Sequence, residues 1–212
     1  MAAWTYWLPD LLPTVPGCPQ VLALHEIKRA AQDLMRASRA WQAELPAQAV
    51  AADAATVTLT PPSGAEVVQV ERAWVDGKRL PQVAPDVLDM ERGDNWTEHT
   101  GAGPTHFVQL QPEVLRLYPI PTAPAATGLV ARVSLCPADS AEGLDDGLAR
   151  RYRNVILAGA RARLMLMPGK AWSSPELALA AAAGFQGGVD SAHHDAIRGF
   201  GRGMPRARPN WC

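Results

Sequence analysis

The sequence predicts an α+β fold. A helical bundle of one N-terminal helix plus two C-terminal helices carries an inserted antiparallel β-rich subdomain and an extended C-terminal tail. Three observations support this. Apolar residues recur with helical period on both sides of a central stretch. That stretch is rich in β-branched residues and short turn signals. Beyond residue 198, glycine and proline recur too often for a helix or a central strand. The expected organisation is an arm over 1–18, a bundle from 19–46 and 140–198, the subdomain over 47–139, and the tail over 199–212. A chain of 212 residues is long enough to bury a real core.

The arm holds Trp4, Tyr6, Trp7, Leu8, Leu11 and Leu12, punctuated by Pro9 and Pro13. Proline limits it to about one helical turn. Its large apolar groups imply packing, either on its own domain or on a neighbour. After the break at Pro16, Gly17, Cys18 and Pro19, residues Leu24, Ile27, Ala31, Leu34, Ser38 and Trp41 form one helical stripe. The spacing predicts a helix from Pro19 to Ala43, closed by Pro46.

In the middle region, residues 56–60 and 67–70 read as strands. Asp76-Gly77 between two short apolar runs is a two-residue hairpin signal. Residues 85–90 read as a short helix. Residues 106–110 and 114–118 flank a second hairpin turn at Gln111, Pro112 and Glu113. Residues 128–135 form the last strand, with Leu129, Ala131, Val133 and Leu135 on one face. The short connections predict five or six mostly antiparallel strands.

Leu144 or Leu148, then Tyr152, Val155, Ile156, Gly159, Arg163 and Met167 trace the next helical row, stopped by Pro168-Gly169. Ser173, Pro175 and Glu176 open a final helix with capping-box spacing. Leu177, Ala181, Gly184, Gly188 and Ala192 share one of its faces, an expected inter-subunit contact. Small residues permit close approach of a second helix, at a cost of about 1 kcal/mol for each glycine relative to alanine.

Composition narrows the function classes. Twenty basic residues face 21 acidic ones, a net charge of −1. That balance argues against broad phosphate-backbone binding. The three cysteines, Cys18, Cys136 and Cys212, show neither CxxC nor zinc-ligand spacing. No apolar run approaches the ~20 residues of a membrane helix, and the first twelve residues lack the basic start of a signal peptide. No membrane, metal or cofactor is expected.

Motifs for catalysis are weak. His193, His194 and Asp195 are adjacent on a helix and do not converge on one ion. His99 and His106 near Trp96 leave a ligand site or small enzyme as the alternative from another class, without a nucleophile or carboxylate pair of recognisable spacing. No nucleophile elbow, zincin, P-loop or dinucleotide pattern occurs. The expectation is a protein that is not an enzyme.

Trp41, Trp74 and Trp172 are expected in or beside the core, whereas Trp4, Trp7 and Trp211 stand in terminal segments as candidate interface anchors. The tail carries Arg198, Phe200, Arg202, Met204, Arg206, Arg208, Pro209, Asn210 and Trp211. Arginine and aromatics on an extended segment suit docking on a partner.

The order of these parts resembles a known family. Residues 7–12 (WLPDLL) followed by 15–19 (VPGCP), then 165–177 (MLMPGKAWSSPEL), then 198–202 (RGFGR) are similar to head-to-tail adaptor proteins of tailed bacteriophages. The resemblance implies a virion structural protein at the phage neck, assembled in the host cytoplasm. It implies a homo-oligomeric ring, usually of about twelve copies. The ring joins the portal protein to the tail or next neck protein and passes DNA through its channel without sequence-specific binding. The portal contact then falls on the tail from Arg198; the chemistry of that tail, and not the resemblance, marks Phe200 and Trp211 as its apolar anchors. A tail-completion or stopper ring is the alternative within the same neck.

Overall fold

The computed structural model describes residues 1–198. Phe200, Arg202, Met204, Arg206, Arg208, Pro209, Asn210 and Trp211 therefore lie outside the described residues. In chain order, strand β1 (Ala2–Ala3) leads into a 3-10 turn at Trp4–Trp7, helix α1 (Leu8–Leu11), a second 3-10 turn at Leu12–Thr14 and helix α2 (Gln20–Ser38). Strands β2 (Gln42–Glu44), β3 (Thr56–Thr58), β4 (Ala65–Val75) and β5 (Lys78–Leu80) precede helix α3 (Pro85–Arg92). A 3-10 turn at Trp96–Glu98 follows, with strands β6 (Thr100–Gly101), β7 (His106–Gln111), β8 (Val114–Tyr118), β9 (Ile120–Pro121) and β10 (Leu129–Pro137). Strand β11 (Gly143–Leu144) and helices α4 (Asp146–Arg151), α5 (Arg153–Met165) and α6 (Pro175–Arg198) come last. The fold is α+β.

Two compact units result: Met1–Trp41 with the chain from Glu142, and Gln42–Ala141. In the first unit, α5 packs on both α2 and α6, and α2 also touches α6. Ile27, Ala30, Ala31, Leu34 and Met35 of α2 are fully buried, as are Ile156, Ala160 and Leu164 of α5. Burying the isoleucine, leucine and methionine side chains among them contributes about 1.5–3 kcal/mol each. The small residues on α2 and α5 let the helix backbones approach.

The helix α2 is shorter than its apolar stripe predicts. It ends at Ser38 because Arg39 turns left-handed at φ 55°, with its amide N–H donating to the Met35 carbonyl at 3.0 Å. Ser38 Oγ donates to the Leu34 carbonyl at 2.7 Å, and the Ala40 N–H donates to Ser38 Oγ at 3.2 Å. The chain then enters strand β2, not a further helical turn. The predicted single helix through Leu148 and Tyr152 is likewise interrupted: α4 closes at Tyr152, where φ is −103° and ψ 15°, before α5 begins. Asp145 caps α4 by accepting from the Gly147 and Leu148 amides at 2.8 and 3.2 Å.

The arm packs within its own unit. Trp7, Leu11 and Val15 are fully buried and Trp4 is 9 % exposed, so neither tryptophan is a free interface anchor. Trp4 stacks on Trp7 at 5.9 Å, and Tyr6 meets Trp7 edge-on at 5.1 Å. Arg153 of α5 holds the segment twice, by an ion pair to Asp10 at 2.5 Å and by its guanidinium 4.5 Å from the Tyr6 ring. Arg161 adds a bond to the Asp10 carbonyl at 3.1 Å. Strand β1 pairs antiparallel with β11, a two-residue ladder too short to read in advance.

The second unit holds a sheet ordered β2-β10-β4-β5 and a smaller one ordered β3-β8-β7. All these pairings are antiparallel, whereas β6 and β9 pair in parallel. The β4–β5 hairpin turns at Asp76 and Gly77, with φ 49° and 74°, the primed turn that the sequence predicts. Thr127 fastens it: its N–H and hydroxyl donate to Asp76 Oδ1 at 2.7 and 3.1 Å. These bonds hold the Asp76 carboxyl below the usual carboxylate range. Ladder shifts on β10 at 132/133 and 134/135 bend its pairing with β4.

Candidate interaction surfaces

Helix α6 carries most of the predicted contact residues. Its start is fixed by Pro175 in the first turn and by the Ala178 N–H donating to the Ser174 carbonyl at 2.9 Å. Ser173 turns its hydroxyl to the Met165 carbonyl at 3.4 Å, and the Ser174 N–H reaches the same oxygen at 3.0 Å. Those bonds tie the end of α5 to the start of α6.

One side of α6 belongs to its own unit. Ala178, Val189 and Ala192 are buried. A Cβ on Gly188 would lie 2.6 Å from both methyl carbons of Val155, and Phe185 rests on Gly159. At the far end, Arg151 pairs with Asp195 at 2.7 Å, which holds the guanidinium above its ordinary pKa. His193 Nδ1 lies 3.3 Å from the Ser38 carbonyl, a tie between α6 and the end of α2.

The other side faces outward. Leu177 and Leu179 are 58 % and 67 % exposed. Among the described residues, Gly184 and Gly187 have nothing within 4 Å of a Cβ position. Between Glu176 and Asp190 the helix carries no charged residue. Two open glycines weaken a helix by about 1 kcal/mol each and gain nothing in packing against the described residues.

The predicted stripe is thus divided by the structure. Leu177 and Gly184 are exposed, Ala181 is half-buried, Gly188 packs on Val155, and Ala192 is buried. Ala180, Ala183, Gly187 and Leu179 are exposed too, and the sequence reading passed over them. Their signal was the uncharged run itself, since a solvated helix face ordinarily carries charge. Arg198 is exposed in the last turn of α6, at the root of the tail.

The histidines of the second unit surround a small satellite core. Leu88, Trp96, Val108 and Tyr118 pack together, with Val83 against them. Trp96 Nε1 donates to Asp89 Oδ1 at 2.6 Å, and the Arg116 guanidinium lies 5.5 Å from the Trp96 ring centre. Tyr118 sits between His99 and His106, with ring centres 6.1 and 6.4 Å away. His99 Nδ1 lies 3.4 Å from the Tyr118 hydroxyl, and His106 Nδ1 lies 2.9 Å from Thr105 Oγ1. The polar atoms serve one another, the Tyr118 and Thr105 hydroxyls partnering the two imidazoles. Among the described residues, no three His, Cys, Asp or Glu side chains converge to hold a metal. Nor is any described helix long and apolar enough to cross a membrane.

No curated protein matches this sequence significantly. A family model described as SU10 adaptor protein matches residues 7–209, nearly the whole chain. The matched span takes in the buried arm, the strand-rich unit and α6, so the chain belongs to the SU10 adaptor protein family, the adaptors of the bacteriophage head-to-tail junction.

Proposed function

We propose that this adaptor is a virion structural protein that forms a homo-oligomeric ring of about twelve copies, joins the portal to the tail or next neck protein, and continues the DNA channel. Its role in this reading is structural and not catalytic. The observation that carries the ring is the outward face of α6: exposed Leu177 and Leu179, open Gly184 and Gly187, and no charge between Glu176 and Asp190. An uncharged face with unfilled glycines suits a second helix at close range. The net charge of −1 suits a channel, because each neutralised phosphate would release counterions and retard sliding DNA.

Portal contact falls to the segment beginning at Arg198, with Phe200 and Trp211 as apolar anchors and the arginines as polar ones. Repeated around a ring, a modest contact of this kind becomes firm by multivalency. Deleting residues 199–212 tests it. The expected result is loss of portal binding with an unchanged thermal midpoint. Unchanged binding contradicts the assignment.

A further inference from the structure

An open slot in the strand-rich unit fits an extended strand. Strand β4 pairs with β10 along its whole length, but β5 covers only Ala73 to Val75 on its other side. The outer edge of residues 65–72 therefore carries no strand among the described residues. The Val70 N–H points out of that edge and is held by a side chain, Gln109 Oε1, at 3.2 Å. Across from it lies the end of β7, an edge of its own sheet whose start is bonded through Phe107 to Pro81 and Val83. Between them runs a groove of about 430 Å³, lined by Val68, Gln69, Gln109, Leu110 and Pro112 among others. Leu110 is 49 % exposed there. An edge without a strand neighbour beside exposed apolar side chains is a template for an added strand.

The sequence after α6 has the matching pattern. Large residues fall on even positions: Arg198, Phe200, Arg202, Met204, Arg206 and Arg208. Odd positions hold Gly199, Gly201, Gly203, Pro205, Ala207 and Pro209. In an extended strand over 198–208 this puts the large side chains on one face and leaves the other to small residues for close approach. Backbone direction alternates with the same period. Both prolines fall on the odd edge, so the even edge keeps an uninterrupted row of donors and acceptors. Charge agrees as well: Glu113 follows Pro112 of the groove lining, and the tail is basic, with no acid after Asp195.

We propose that residues 199–204 of a neighbouring copy add as a strand to the outer edge of β4, displacing the Gln109 side chain from the Val70 amide and seating Phe200 or Met204 against Val68 and Leu110. Residues 205–212 then continue toward the portal. This rests on the reading that copies stand side by side. Each copy thereby straps its neighbour before reaching the portal, which makes portal docking and ring closure one cooperative event.

The test places a photoreactive amino acid at Leu110 in the full chain. Unlabelled and isotopically heavy chains are mixed, assembled with the portal and irradiated. Native mass spectrometry of the same sample counts the copies in the ring. The proposal expects adducts from position 110 to residues 199–204, with mixed light–heavy pairs showing that the strand comes from another copy. Leu110→Asp in an otherwise unaltered chain should weaken ring formation at least tenfold without changing the thermal midpoint. A ring that forms with adducts to the portal, to other segments, or only within one chain overturns the strap while leaving the ring reading intact. A ring that tolerates Leu110→Asp overturns it equally. Absence of any ring overturns both.

Discussion

The ring of Phe185 on α6 lies so close to Gly159 on α5 that a Cβ at Gly159 would stand 2.8 Å from both Cδ2 and Cε2, and 2.9 Å from Cβ of Ala30 on α2. Three helices meet at a residue without a side chain. Gly159→Leu should therefore destabilise the fold by about 1–3 kcal/mol, the cost of overpacking a close-packed interior. Urea unfolding checks it; an unchanged midpoint would show that the helices separate freely there.

Gly184 and Gly187 predict the opposite sign. Among the described residues, neither has a neighbour within 4 Å of its Cβ position. Gly184→Ala should stabilise the isolated subunit by about 0.5–1 kcal/mol through helix propensity. Gly184→Leu should leave the thermal midpoint of the subunit near wild type and abolish ring formation. Separating these two readouts, calorimetry on the subunit and mass on the assembly, distinguishes a face kept open for a partner from a merely weak helix.

Arg163 bridges α5 to α2. It pairs with Asp33 and lies 3.8 Å from Glu26, whose side chain is 6 % exposed. Burial pulls the guanidinium below its ordinary pKa, opposed by Glu26. Arg163→Leu leaves Glu26 unpaired in the interior and should cost about 1–3 kcal/mol, less than a fully buried pair because Asp33 is half exposed. Adding Glu26→Gln should recover part of the loss in a double-mutant cycle. Strict additivity of the two substitutions would contradict the bridge.

Asp76 predicts an acid response of the β4–β5 hairpin. Hydrogen bonds from Thr127 favour the carboxylate, so the folded pKa is lowered. A lowered folded pKa contributes stability above the unfolded value of about 3.9, and that stability is lost as pH falls through the folded value. The Thr127 amide resonance should titrate below the ordinary Asp range. Thr127→Val, which removes only the hydroxyl bond, should raise that midpoint slightly. Asp76→Ala should lower the thermal midpoint more than Asp76→Asn, because asparagine tolerates the left-handed φ of 49° and still accepts from Thr127.

Legibility in the sequence followed the range of the interaction that decides each feature. The Asp76-Gly77 turn, the helix opening after Pro19, the helix at Pro85 and the hairpin around Pro112 are set by local chemistry and were readable. The end of α2 was not, because the left-handed cap falls on Arg39, a residue without a glycine's preference for that conformation. The fate of Trp4 and Trp7 was open for a different reason. Nothing local says that Arg153 and Arg161, about 150 residues downstream, hold Asp10 and Tyr6 in place. On α6 the periodicity found a stripe, but a period cannot say which part of it α5 covers. Val155 takes Gly188, whereas Gly184 stays open.

Mass and symmetry of the protein with the portal ring of its own phage, by native mass spectrometry and electron microscopy, test the central claim most directly. The account predicts a ring of about twelve copies seated on the portal, related by one cyclic axis. A protein that remains unassociated, or that binds only a preformed neck ring and never the portal, would contradict it.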